Sequence, residues 1–365
     1  MAEATVSTGR RANVPLVSVI VPARNEEACL GTCLQSLVGQ SGITREIIVV
    51  DDGSSDQTRA IAKSFAEVQV IAPGALPPGW SGKTNAMVAG ANQAHGEWLL
   101  FTDADTVHRP GSLARAVAEV ERHAADLLSY SPQQDVRSLI EKSVMPVIFA
   151  ELASTFRPSQ VSDPKSPAAA ANGQYLLVSR AAYDAVKGFS SVATSLLEDV
   201  ALARVVKASG RKIVFRYAPD AVSTRMYRNF SQLREGWTKN LVLLFPATLQ
   251  LAVLRAVEFF LIVGCAALAA VGVAKDLKHT AVIASVVAVV LYGVFMQRVW
   301  KAQFRWDCNL LALFGLPLFS YLLLRSRVFH NKGKVTWKGR VYGGEIPQSP
   351  AGHPMTATES TPASL

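Results

Sequence analysis

"GEWLLFTDADT", residues 96–106, is the stretch on which the fold turns. Its apolar run, Trp98 to Phe101, reads as a buried strand, and it ends on two carboxylates, Asp103 and Asp105, on either side of a small alanine. Upstream, "VSVIVP" (17–22), "EIIVVD" (46–51) and "VQVIAP" (68–73) repeat the arrangement, each followed by turn chemistry and a helical stretch. Such βαβα order predicts an α/β protein with a mainly parallel sheet flanked by helices, and ligands collect beyond the carboxyl ends of such strands. The acidic clusters lie at those ends.

The 365 residues are half apolar and carry a formal charge of +9, enough to bury one sizeable core with chain left over. The charge is unevenly spread: residues 1–240 hold 25 Lys/Arg against 23 Asp/Glu, residues 241–343 hold 12 against 3. An excess that sits among apolar runs suits a membrane protein with cytoplasmic flanks better than a nucleic-acid groove, so no nucleic-acid partner is expected. Cys29, Cys33, Cys265 and Cys308 show neither metal spacing nor a secreted disulfide framework and read as packing residues. The amino terminus has no apolar stretch of signal-peptide length, which keeps the first domain on the cytoplasmic side.

The chain divides into a disordered start (1–14), a catalytic domain (15–240), a membrane region (241–343) and a disordered tail (344–365). Within the membrane region, 256–274 and 280–297 are long enough, or nearly so, to cross an apolar layer of about 30 Å at about 1.5 Å per residue. The third run, 309–324, is shorter and holds "FGLPLF"; it is expected to be re-entrant or interfacial, broken at Gly315 and Pro317. Three full spans would carry the basic stretch Arg325–Arg340 to the outside, against the preference of such charge for the cytoplasm. Residues 136–157 predict a helix, packed on the sheet or lying in the membrane interface. Residues 157–173, rich in Pro, Ser and Ala, predict a mobile loop.

Every polar cluster has a purely structural explanation. "ARNEE" (23–27) reads as a helix start capped by Asn25, and "DDGSSDQT" (51–58) as an Asp-Gly turn followed by a cap. In "SLLED" (195–199), Ser195 and Glu198 form a capping box that leaves Asp199 unexplained. "DAD" reads as a solvated turn, or as a pair of hard oxygen ligands for Mg²⁺ or Mn²⁺ shared with a diphosphate. None of these explanations predicts another, so their joint occurrence in one sheet is the stronger signal.

"VSVIVPARNEE", "EIIVVDDGSSDQT", "GKTNA", "GEWLLFTDADT" and "LLEDVALA", in this order and approximate spacing, resemble the inverting family-2 nucleotide-sugar glycosyltransferases of GT-A fold, over about residues 15–240. The resemblance implies a nucleoside diphosphate sugar, a UDP-sugar first, lying over the strand ends. Asp51 and Asp52 would hold its base, Pro22, Ala23 and Glu26 its nucleotide wall, and Lys83 its base or phosphate. It further implies Asp103 on the ribose, Asp103 and Asp105 on the metal, Glu198 on the donor, and Asp199 as general base. "QLREGWTKN" (232–240) stands where related enzymes carry a Gln-x-x-Arg-Trp signature; the spacing differs, and Arg234 and Trp237 are candidates for the diphosphate and the acceptor floor. "GKVTWKGRVY" (333–342) resembles the tail of membrane glycosyltransferases that act on ceramide, carotenoid or hopanoid-type lipids, with Lys338 and Arg340 facing anionic groups. The expectation is therefore a multi-pass cell-membrane enzyme with a cytoplasmic catalytic domain that moves a sugar to a lipid hydroxyl. A processive polysaccharide synthase and a non-catalytic nucleotide-sugar-binding protein are the alternatives.

Overall fold

A computed structural model describes residues 17–337 and 340–342. The disorder expected at both termini, the role of Lys338 and that of the Arg340 side chain fall outside the described residues.

The four strands read from the sequence are present as β1 (Val17–Ala23), β2 (Arg45–Asp51), β3 (Val68–Ile71) and β4 (Trp98–Phe101). Further along the chain come β5 (Thr106–His108), β6 (Leu127–Ser131), β7 (Gln133–Gln134), β8 (Leu176–Ser179), β9 (Ile213–Tyr217) and β10 (Val222–Thr224). Seven of them form one sheet in the order β3-β2-β1-β4-β8-β6-β9, parallel except where β8 runs against β4 and β6. A small second sheet, β5-β10-β7, stands beside its carboxyl edge.

Alternation along β1 explains why both faces are dry. Val19 and Val21 join Leu30, Leu34 and Leu37 of the helix Leu30–Val38, while Ile20 meets Met87 of the helix Gly82–Gln93 on the opposite face. Burying each such side chain contributes about 1.5–3 kcal/mol, so a strand covered on both sides has no polar face and reads as a continuous apolar run.

Three helices among the described residues are long and apolar enough to cross a membrane: Thr248–Ala274, Lys278–Ala302 and Trp306–Asn331. The first two expose most of their apolar surface; in the third, half of the most apolar window is buried against the protein. The third is also one unbroken helix, which corrects the expected break at Gly315 and Pro317. Gly315 is instead a point of close approach: a Cβ there would lie 2.1 Å from the backbone oxygen of Ser143. Pro317 leaves one interior hydrogen bond unmade without ending the helix.

Both ends of this third helix are tied to the rest of the protein. Near its start, Asp307 pairs with Lys142 at 3.0 Å; near its end, the Ser326 hydroxyl donates to the Thr238 carbonyl at 2.7 Å and accepts from Val242 N at 3.0 Å. The helix Leu139–Thr155, predicted from sequence, buries Val144, Val147 and Ile148 against Leu316 and Phe319 of this helix rather than against the sheet. Glu151 on it meets Arg255 at 2.9 Å and Arg298 at 3.3 Å, and both arginines also reach Glu258. Residues 157–173 are not a bare loop either. Pro158–Ser162 is a short helix, and Ala169, Ala170 and Ala171 are buried in the sheet's second core. All four cysteines are free thiols, with Cys33 and Cys308 buried.

Candidate active site

A cavity of about 930 Å³ opens at the carboxyl ends of β1, β2 and β4. Pro22, Ala23, Glu26, Asp52, Lys83, Asp103, Asp105, Glu198, Asp199 and Trp237, all anticipated from sequence, line it. Two anticipated residues do not. Asp51 is turned into its own loop, only 2% exposed, where its carboxylate accepts from Ser54 N at 3.1 Å. Arg234 lines a separate, smaller cavity on another side of the helix Phe230–Leu244.

The loops after β1 and β2 hold each other in place. Asn25, with φ of 53°, is not a helix cap: its side-chain oxygen accepts from Ser55 N at 2.9 Å and its own N–H donates to the Ser54 hydroxyl at 3.0 Å. Glu27 accepts from Gln57 N at 3.0 Å, so the acid-rich sequence is consumed partly in joining two crossover loops. The helix itself starts later, at Leu30. Asp52 remains on the cavity wall, 3.8 Å from Arg24.

Lys83 is the electrostatic centre. Ser81 caps its helix by accepting from Thr84 N at 3.0 Å, which fixes the first turn and aims Lys83 across the strand ends. Its Nζ lies 2.7 Å from Asp103 Oδ1 and 3.1 Å from Glu198 Oε1. The expected capping box therefore does not form: Glu198 spends its carboxylate on Lys83, and Ser195 accepts from Leu197 N instead. A buried carboxylate gains more from a full charge than from one backbone N–H, which explains the choice. Burial alone would lower the Lys83 pKa, but Asp103 and Glu198 hold it well above the usual lysine value.

Asp199 follows Glu198 at the first turn of the helix Glu198–Ala208. Its Oδ2 accepts from Gly173 N at 2.7 Å and its Oδ1 from Val200 N at 2.8 Å. Burial and the neighbouring Glu198 charge raise its pKa to about 6, against the lowering effect of Lys83 and the two N–H donors. A carboxylate so poised is ionised at neutral pH yet basic enough to take a proton.

Three contributors were missed by sequence reasoning. Lys239 lines the cavity two residues beyond Trp237; burial lowers its pKa even though Glu198 and Asp199 pull it upward. Its place in "EGWTKN" was the available signal. Gly173 and Tyr227 carried none. A Cβ on Gly173 would stand 3.1 Å from Lys83 Nζ and 3.4 Å from Asp199 Oδ2, and Tyr227 packs edge-on to Trp237 at 6.1 Å between ring centroids.

For a divalent cation the protein supplies an incomplete set. Asp103 and Asp105 face the same cavity, and among the described residues no group of three or more His, Cys, Asp or Glu converges to hold an ion. Two carboxylates are what Mg²⁺ or Mn²⁺ needs when phosphate oxygens and water complete its shell, so the residues fit a cation brought in with a diphosphate and not a resident protein-only site.

Comparison with known proteins gives the family and the fold. The sequence profile of "Glycosyl transferase family 2" matches residues 18–166, and that of "Glycosyl transferase family group 2" matches residues 98–331. The 4,4'-diaponeurosporenoate glycosyltransferase of Staphylococcus aureus (strain MRSA252) is 25% identical over 343 residues, covering 90% of this chain and 89% of that protein. Among solved structures, the mannosyltransferase PcManGT from Pyrobaculum calidifontis, in complex with GDP-Man and Mn²⁺, superposes with a TM-score of 0.54 at 18% identity over 87% of each chain. That likeness shows the same GT-A fold. Since one family profile spans well over half of the chain, from β4 through the apolar helices, the chain belongs to glycosyl transferase family group 2 and is a glycosyltransferase.

Proposed function

We propose that this enzyme is a membrane-bound, metal-dependent, inverting transferase that moves a sugar from a nucleoside diphosphate sugar to an apolar, membrane-resident acceptor. The acceptor oxygen attacks the anomeric carbon, the bond from that carbon to the diphosphate breaks, and the acceptor proton passes to Asp199. Such general-base assistance is worth about 10²- to 10⁴-fold. Asp52 and Glu26 face the nucleoside end of the donor, and Lys83 is set beside the carboxylates. Asp103 and Asp105 would hold Mg²⁺ or Mn²⁺ jointly with the donor's phosphate oxygens, an arrangement that stabilises charge on the departing diphosphate.

One observation carries the reading: Asp199 and the Asp103–Asp105 pair line one cavity that also has an apolar wall, packed with residues of the membrane helices. Phe149, Leu152 and Phe156 on that wall belong to the helix Leu139–Thr155 and its cap, and Leu244 ends the helix that precedes the first apolar span. An acceptor with a long apolar body can enter from the bilayer side without leaving its solvent. The relative's name, which gives 4,4'-diaponeurosporenoate, supports such an acceptor. The topology that fits is a two-helix hairpin, Thr248–Ala274 with Lys278–Val299, and an interfacial third helix held against the catalytic domain at both ends. It leaves catalytic domain and basic tail together on the cytoplasmic side.

The test is Asp199→Asn. Transfer is expected to fall by about 10²-fold or more with donor binding intact; near-normal turnover would remove the base. A second reading is favoured by the "-oate" of the relative's name: an acceptor carboxylate is already ionised at neutral pH and needs no base. In that case Asp199→Asn loses little with acid acceptors and much with alcohols.

A further inference from the structure

Arg234 was anticipated in the donor site and lies outside it; its actual surroundings suggest a different ligand. A separate cavity of about 160 Å³ is lined by Ser231, Arg234, Glu235, Thr238, Arg325, Phe329 and Thr336. We propose that this cavity is a binding site for a phosphate-ester group, with the headgroup of an anionic phospholipid as its occupant.

Two guanidinium groups from elements far apart in sequence meet here. Arg325 belongs to the third apolar helix and Arg234 to the helix that carries Trp237 and Lys239. Arg325 is braced: its plane lies over the Phe329 ring at 3.8 Å, and its Nε donates to the Thr238 hydroxyl at 3.1 Å. That brace consumes one donor and leaves the terminal amino groups of the guanidinium for a ligand. Arg234 lies over the Phe230 ring at 5.8 Å. Neither arginine forms an ion pair with a carboxylate among the described residues, although Glu235 is on the same wall. Elsewhere the protein pairs its half-buried arginines closely, as with Arg216 on Glu119 at 3.0 Å and Arg298 on Glu258 at 2.7 Å. Two guanidinium forks with no carboxylate partner among the described residues, beside the hydroxyls of Ser231 and Thr336, make a cradle suited to a tetrahedral oxyanion, while the Thr238 hydroxyl is spent on the Arg234 carbonyl and on Arg325.

The location argues for a lipid source. Arg325 lies in the last two turns of a helix apolar enough to enter a bilayer, and Arg327, Lys332 and Lys334 follow it closely. Such clusters at the end of a membrane helix meet anionic headgroups. The site also shares a helix with the donor cavity: Glu235 lines both, and Thr238, which accepts from Arg325, sits between Trp237 and Lys239.

The experiment uses the full chain purified in neutral detergent at constant ionic strength. Thermal unfolding is followed as micelles are doped with short-chain phosphatidylglycerol, and in a parallel arm as inorganic phosphate is added. The wild type is expected to gain Tm in the lipid arm with a saturating dose curve, and Arg234→Gln and Arg325→Gln to require roughly tenfold more lipid or more for the same gain. Arg234→Gln is the decisive variant, since among the described residues its guanidinium makes no hydrogen bond whose loss would weaken the fold; Arg325→Gln also loses the bond to Thr238. A saturating, arginine-dependent gain with inorganic phosphate and none with phosphatidylglycerol overturns the lipid occupant and assigns the site to free phosphate. No gain in either arm, or an equal gain in Arg234→Gln, overturns the site.

Discussion

Gly173 donates its backbone N–H to Asp199 Oδ2 at 2.7 Å, and its missing side chain leaves open the space that borders both Lys83 Nζ and Asp199 Oδ2. The proposed base is thus held by a residue 26 positions upstream, at the end of the buried alanine run that precedes β8.

Gly173→Ala keeps that N–H but puts a methyl 3.1 Å from Lys83 Nζ and 3.4 Å from Asp199 Oδ2. Lysine can give way; the carboxylate, fixed by two N–H donors, gives less. The contact is relieved by a few tenths of an ångström, less than the misplacement of about 1 Å that costs about 10²-fold, so kcat is expected to fall by about tenfold or less while the donor KM changes little. Steady-state kinetics on reconstituted enzyme measures both.

Because burial and Glu198 raise Asp199 to about 6, the proposed base is ionised above that pH and lost below it. With an alcohol acceptor, kcat/KM should fall about tenfold per pH unit below about 6 and level off above. Asp199→Asn should flatten this limb, and a wild-type profile level down to pH 5 would refute the assignment.

Lys83→Met removes a cation that ion-pairs with both Asp103 and Glu198. Burial raises the Glu198 pKa and Lys83 is the first charge that lowers it, so without Lys83 burial pushes the Glu198 carboxyl up. The resulting destabilisation is present at neutral pH and fades as pH falls and Glu198 takes up a proton. The Tm deficit relative to wild type is therefore expected to be larger at pH 7.5 than at pH 5.

Chelating divalent ions should abolish transfer, with recovery on adding Mn²⁺ or Mg²⁺, and Asp105→Ala should recover only at much higher metal concentration. Full activity in metal-free buffer would reject the role proposed for Asp103 and Asp105.

Gly315→Leu would drive a side chain into the Ser143 backbone, since even a Cβ stands 2.1 Å from that oxygen. Overpacking of this kind costs about 1–3 kcal/mol or more. Thermal unfolding in detergent should show a drop of several degrees, with a smaller drop for Gly315→Ala.

The strands, the acids at their ends and the apolar segments were legible because each is a local pattern: a burial period, a turn residue, a run of side chains. Asp103, Asp105 and Asp199 were identified as one site because their separate local explanations did not account for one another. The capping box at Ser195 failed for a reason local rules cannot hold, namely that Glu198 found Lys83, 115 positions upstream. Arg234 was named as a site residue from sequence, and Lys239, five positions further along the same stretch, was not. Their division between two cavities depends on how the helix Phe230–Leu244 is set, and bonds from Ser326 to Thr238 and Val242, between residues 88 and 84 apart, fix that setting.

By itself the sequence determined the sheet, the carboxylates at its edge and the apolar length of the last third, since propensity and periodicity act within a few residues. Only the tertiary structure decided which charges neutralise each other, that the helix through Gly315 and Pro317 runs unbroken against the catalytic domain, and that a second basic cavity lies beside the first. Those outcomes depend on the mutual placement of elements as much as 165 residues apart, as with Lys142 and Asp307, where desolvation and Coulomb energy are set by distances that no local pattern encodes.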